Sequence, residues 1–196
     1  MIGEGDPHAQ VLFVGEAPGL HDDAQGDPLA GPAGELFGEL LGSIGLTRAS
    51  CYVTSLVKCR PPRNRQPEPV ELEACRPKLC AQIEAVAPTL VCSLGDGATR
   101  ALSGPAHGVA REHGRVRRAQ VGGIAITLYP LYHPASVLFN LRLRPELEAD
   151  VLRIPEILRL LVAGGDLGSV EPPPPLPPAA AASLVAGEEP EQLGLF

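Results

Sequence analysis

The stretch "QVLFVGEAPGLHDDAQGDPLAGPAGELFGELLGSIG", Gln10 to Gly45, passes from an unbroken apolar run through a loop dense in glycine and proline into a segment of spaced apolar residues. A near-continuous aliphatic run is the pattern of a strand covered on both faces, whereas a strand with one wet face alternates. Leu36, Phe37, Leu40, Leu41 and Ile44 recur at three and four and predict an amphipathic helix over about 32–46. The stretch reads as strand, loop and helix, the first half of a βαβ unit.

Three further runs repeat the strand pattern: "CYVTSLV" (51–57), "TLVCSLG" (89–95) and "IAITLYP" (124–130). Helical patterns fall between and after them, at about 68–87, 96–103 and 145–162. Strands alternating with helices predict a three-layer α/β domain on a mostly parallel sheet, with ligands at the carboxyl ends of the strands. This domain is expected over residues 1–163. From 164 to 196 the chain turns rich in Pro and Ala, with too little apolar surface to offset ordering entropy, and a disordered tail is expected.

A chain of 196 residues, 44% of them hydrophobic, can bury one sizeable core, and no apolar run approaches membrane-spanning length. No secretory leader is visible at "MIGEGDPHAQ", so a soluble protein of the reducing cytoplasm is expected. Five cysteines in that setting point to metal ligands or core residues rather than disulfides. The net charge of −7 is segregated: residues 1–50 carry −7, residues 51–163 carry +5 and residues 164–196 carry −5. Lys58, Arg60, Arg63 and Arg65, then Arg111, Arg115, Arg117 and Arg118, keep a polyanion in view as partner, against the alternative of solvated surface charge.

Three constellations can carry chemistry. The loop "GEAPGLHDDAQGDPLAGPAG" (15–34) lacks any phosphate-binding fingerprint, but its Glu16, Asp22 and Asp23 at the mouth of a sheet suit general-base work on water. "YPLYHPAS" (129–136) places His133 in a proline-bounded turn, at the sheet edge where the Glu16 loop also emerges. "KCRPPRNRQPEPVELEAC" (58–75) sets Cys59 and Cys75 around a loop first basic, then acidic. That spacing matches no CxxC knuckle, and a metal site needs about four ligands. Cys92 falls in a predicted central strand and Cys51 at a strand start, so the set is incomplete.

Taken in order, "GEGDPHAQVLFVGEAPG", "GPAGELF", "CYVTSLVKCRPPRNRQP", "ACRPKL", "LVCSLGDGATRAL" and "LYPLYHPAS" resemble the family 4 uracil-DNA glycosylases, the type that carries an iron-sulfur cluster. The resemblance implies a central four-stranded parallel sheet in a three-layer α/β/α domain, acting as a monomer. It implies hydrolysis of the N-glycosidic bond of uracil in single- or double-stranded DNA, with the nucleotide flipped out and an abasic site left behind. The backbone of Gly15, Ala17, Pro18 and Gly19 would line the uracil pocket with Leu29 and Ser55. His133 would donate to uracil O2, and Glu16 or Asp22 would orient or deprotonate water. Lys58, Arg60, Arg63, Asn64, Arg65 and Ser136 would meet the DNA.

The chain departs from the family at three places. Leu29 in "DPLAG" stands where members carry a phenylalanine that stacks on the base, and Ser55 where many carry an asparagine that reads the uracil edge. A lesion-binding protein of the same fold with little turnover is the alternative these two raise. Third, Cys59 and Cys75 would be two of four ligands to a 4Fe-4S cluster, the others forming a CxxC upstream of the first strand. A start displaced upstream by about thirty residues is therefore expected. At the other end "QLGLF", with Gln192, Leu193, Leu195 and Phe196, resembles the short peptides that dock bacterial repair proteins on the sliding clamp.

Overall fold

A computed structural model describes residues 1–164; the tail and its QLGLF peptide lie outside the described residues. Four strands run parallel, as the apolar runs predict: β2 (Val11–Gly15), β3 (Tyr52–Ser55), β4 (Leu90–Leu94) and β6 (Ile124–Leu131). Two more extend the sheet to six. β1 (Glu4–Gly5) pairs antiparallel with β3, β5 (Arg117–Val121) pairs antiparallel with β6, and the order is β1-β3-β2-β4-β6-β5. The sequence hid these edges for a physical reason. An edge strand with a solvated face has no continuous apolar run, and β5, "RRAQV", buries only its last residue.

Successive residues of the parallel strands point to opposite faces, and both faces are dry. Val11 and Phe13 join Cys92, Tyr129 and Leu131 in a core with Leu36, Phe37, Leu40 and Leu41 of α2 (Gly31–Ser43). Leu12 and Val14 join Val91, Ile126 and Leu128 in a second core, with Leu79, Ile83 and Val86 of α3 (Pro69–Val86) and Ala98 and Leu102 of α4 (Gly95–Ser103). Phe13 meets Phe37 edge to face at 4.9 Å between ring centroids. Cys51 and Cys92 are buried and free, which settles them as small core residues.

The helix predicted over 145–162 is two helices, α7 (Arg144–Leu152) and α8 (Ile154–Val162). Pro155 explains the break: without an N–H, and with its ring against the carbonyl four residues back, it cannot continue α7 but fits the first turn of α8. Three further α-helices are short: α1 (Leu20–Gln25), α5 (Val109–Glu112) and α6 (Pro134–Phe139). Their length, four to six residues, is below what periodicity can detect. The chain leaves β2 toward β3 on one side and returns to β4 on the other, so a crevice opens at the carboxyl ends of these strands.

Candidate active site at the carboxyl edge of the sheet

Gly15, Leu94 and Leu131 end β2, β4 and β6 at one edge; the loops after β2 and β6 bring Glu16 and His133 there, and the first turn of α4 brings Asp96. A cavity of about 390 Å³ opens beside them, lined by Ala17, Gly19, Asp22, Leu29 and His133 among the residues expected from sequence. Pro32, Ala33, Leu138 and Phe139 also line it. These four come from α2 and α6, and only the tertiary packing of those helices brings them to the loop.

Asp22 builds the wall. Its Oδ2 accepts from the Gly19 amide at 2.8 Å and its Oδ1 from the Ala30 amide at 2.7 Å, tying the two ends of the loop together. Both oxygens are thereby engaged with main chain. Leu29 takes a left-handed backbone, φ 55°, which a leucine adopts only under restraint. Arg48 supplies the restraint, donating to the Leu29 carbonyl at 3.1 Å and the Pro28 carbonyl at 2.5 Å while pairing with Glu4. Gly34 is required opposite, since a Cβ there would collide with the Leu29 carbonyl.

Glu16 is held differently. Its carboxylate lies over Gly97 in the first turn of α4, where a Cβ would strike it. Burial, and then the charge of Asp96, raises its pKa above the usual carboxylate value. The raised pKa makes this carboxylate a stronger base than an ordinary one, and it stands outside the set of residues that line the cavity. Asp96, whose charge adds to the shift, and Gly97, which packs against the carboxylate, follow a strand run as Gly-Asp-Gly, a signal present in the sequence.

His133 caps α6. Its Nδ1 accepts from the Ala135 amide at 3.1 Å, so in the neutral ring the proton resides on Nε2. Burial lowers its pKa to about 4, against an opposing pull from Asp22. At neutral pH this side chain is an uncharged Nε2–H donor.

Several expected contacts are placed elsewhere. Gly15 is a buried strand end whose carbonyl accepts from Leu56, and Pro18 is buried behind the loop, so neither lines the cavity. Ser55 is buried too, with its hydroxyl donating to the Val57 carbonyl at 2.6 Å, which withdraws that proton from any ligand. Lys58 does not belong to the basic surface. It is 5% exposed, and its ammonium donates to Thr54 Oγ1, the Ser55 carbonyl and Gln82 Oε1. Burial pulls its pKa down to about 8. The apolar stem and three acceptors within reach draw it inward.

The loop after Lys58 is braced from within. Arg60 donates to Asn64 Oδ1 at 2.7 Å, and Arg65 forms a fork on Glu71, whose pKa falls to about 2 through that hydrogen bond. Arg63 is exposed and makes no ion pair among the described residues. Ser136 is exposed on the first turn of α6. The Lys58 amide donates to Cys75 Sγ at 3.4 Å, so Cys75 lies against the main chain that leads into the exposed Cys59. Two thiols are half of what a four-thiolate cluster requires, and no group of three or more potential ligands occurs among the described residues. These residues alone do not fit the cluster.

A family model described as the Uracil DNA glycosylase superfamily matches residues 2–154. The type-4 uracil-DNA glycosylase of Archaeoglobus fulgidus is 40% identical over 159 residues, 79% of this chain and 80% of its own. The type-4 enzyme of Thermotoga maritima is 39% identical over 143 residues, 71% of this chain and 72% of its own. The type-5 uracil-DNA glycosylase of Pyrobaculum aerophilum is 36% identical over 168 residues, 76% and 72% of the two chains. A parallel sheet with this crevice, and likeness over nearly the whole described length, place the chain in the uracil DNA glycosylase superfamily.

Proposed function

We propose that the protein excises uracil from DNA by hydrolysing the N-glycosidic bond, leaving an abasic site. The observation that carries this reading is His133: a desolvated, neutral imidazole with its Nε2–H left for a ligand at a cavity large enough for a pyrimidine. As the bond breaks, negative charge grows on the base, and a donor fixed in place stabilises it without reorganising. Positive charge grows on the sugar, and Glu16, deprotonated, offsets it while accepting a proton from the attacking water. Asp22 is a positioning residue, since both its oxygens hold the cavity wall.

DNA reaches the site across the exposed Arg63, with Arg60 and Asn64 shaping the loop and Ser136 flanking the mouth. Cys59 and Cys75 would supply two of the four thiolates that a 4Fe-4S cluster needs. The enzyme acts as a monomer in the cytoplasm, and QLGLF docks it on the sliding clamp.

The test is incubation with uracil-containing oligonucleotides, single- and double-stranded, read as alkali-labile sites. Cleavage lost in His133→Ala supports the assignment; no cleavage by the wild-type protein refutes turnover and leaves the lesion-binding alternative.

A further inference from the structure

The stretch of β6 that leads to His133 is held differently along its two edges. On one edge β4 pairs with it to the end, Ser93 opposite Pro130 and Leu94 opposite Leu131. On the other the β5 ladder starts only at Arg117 opposite Leu128, so Tyr129 to Tyr132 run past it. The turn between α5 and β5 takes over there. The Gly114 amide donates to the Pro130 carbonyl at 3.0 Å, and the Gly114 carbonyl accepts from Arg153 at 2.9 Å.

His113 anchors that turn in the interior. Its Nδ1 lies 2.8 Å from Asp150 Oδ2 of α7, and the two side chains are 6% and 0% exposed. The main-chain carbonyl of the same Asp150 accepts from the Tyr129 hydroxyl at 2.9 Å, so one residue of α7 holds both the turn and β6. The His113 ring packs on Tyr132 with centroids 4.7 Å apart. Tyr132 is buried and its hydroxyl has no hydrogen-bond partner among the described residues, so packing fixes where its ring lies. Desolvating an ionisable pair is costly, and apolar residues of its volume serve stability as well. What the pair adds here is one defined place for the Tyr132 ring. We infer that His113, anchored by Asp150, is a positioning residue: through Tyr132 and the Pro130 carbonyl it fixes the main chain that presents the His133 imidazole to the cavity. Its effect on turnover rests on the uracil-excision reading, whereas the placement of the ring does not.

In protein carrying isotope-labelled histidine, the NMR signals of the His133 ring report its tautomer and surroundings with no substrate present. His113→Ala is expected to shift and broaden them. Asp150→Asn, which keeps a hydrogen-bonding atom opposite Nδ1 whichever way the proton points, is expected to leave them near their wild-type positions. Single-turnover uracil release is expected to fall about a hundredfold in His113→Ala with DNA affinity unchanged. Adding His113→Ala to His133→Ala is expected to cost nothing more, because the two act through one side chain; a purely structural role would slow both backgrounds alike. Where His113→Ala does not fold, His113→Gln keeps a partner for the buried carboxylate, removes only the ring, and is expected to give the same shifts. His133 signals unmoved in a folded His113→Ala or His113→Gln protein overturn the inference, and so does an equal rate loss in both backgrounds. A wild-type chain that releases no uracil overturns the functional reading alone, and the ring signals still decide the inference.

Discussion

In the proposed reaction His133 and Glu16 answer the two charges that develop when a glycosidic bond breaks, and their pKa values are shifted in opposite directions. Burial lowers the pKa of the imidazole and raises that of the carboxyl. Removing a fixed donor to a developing anion costs about 10²–10³ in kcat, and that loss is expected for His133→Ala in single-turnover uracil release. With its folded pKa near 4, below the unfolded value, His133 binds fewer protons folded than unfolded between about pH 4 and 6.5. Stability rises with pH across that window, and the component due to His133 disappears in the alanine variant on acid titration of denaturant midpoints. Glu16 must be ionised to act, so the acid limb of kcat/KM is expected above the ordinary carboxylate value of about 4.5. Asp96→Asn keeps the oxygen that accepts from the Val109 amide while deleting the charge. It is expected to move that limb to lower pH; an unmoved limb would detach Asp96 from the site.

Two glycines on the elements around the cavity look alike in sequence and differ in what they protect. A methyl at Gly97 in α4 meets the carboxylate of a flexible side chain, and a methyl at Gly34 in α2 meets the Leu29 main chain. Gly97→Ala is expected to lower kcat by displacing Glu16 while leaving the melting temperature unchanged or slightly higher, since alanine is the better helix former by about 1 kcal/mol. Gly34→Ala is expected to cost about 2 kcal/mol of stability or more, read by denaturant unfolding, because the restrained Leu29 turn cannot move without releasing Arg48. Equal effects on stability and turnover in both variants would contradict this division.

Across the whole molecule, charge falls into surface and interior classes that the linear sequence does not separate. Lys58 and Arg63 stand five residues apart in one basic run, yet one is buried under three acceptors and the other is exposed. Arg63→Ala is expected to reduce the salt slope of DNA binding by about 1. Lys58→Ala is expected to leave that slope unchanged and to lower stability by about 3 kcal/mol, because Thr54, Ser55 and Gln82 lose their donor. A change of slope in Lys58→Ala with stability intact would return it to the interface.

The four parallel strands and α2, α3 and α4 were legible in the chain, because burial on both faces writes a continuous apolar run and a packed helix writes its period. The positions of Glu16 and His133 just past strand ends were legible for the same reason, as parallel strands deliver the segments that follow them to one edge. What folding alone settled is which side chains line the cavity and which are engaged elsewhere. Asp22 spends its oxygens on the loop and Ser55 its hydroxyl on Val57, while Lys58 turns inward and Phe139 arrives from α6. Periodicity records how much of a residue is buried, and hydrogen-bond partners are chosen by neighbours distant in sequence. The edges of the sheet and the break at Pro155 fall between these cases, since solvated strands and short helices leave too little pattern to read.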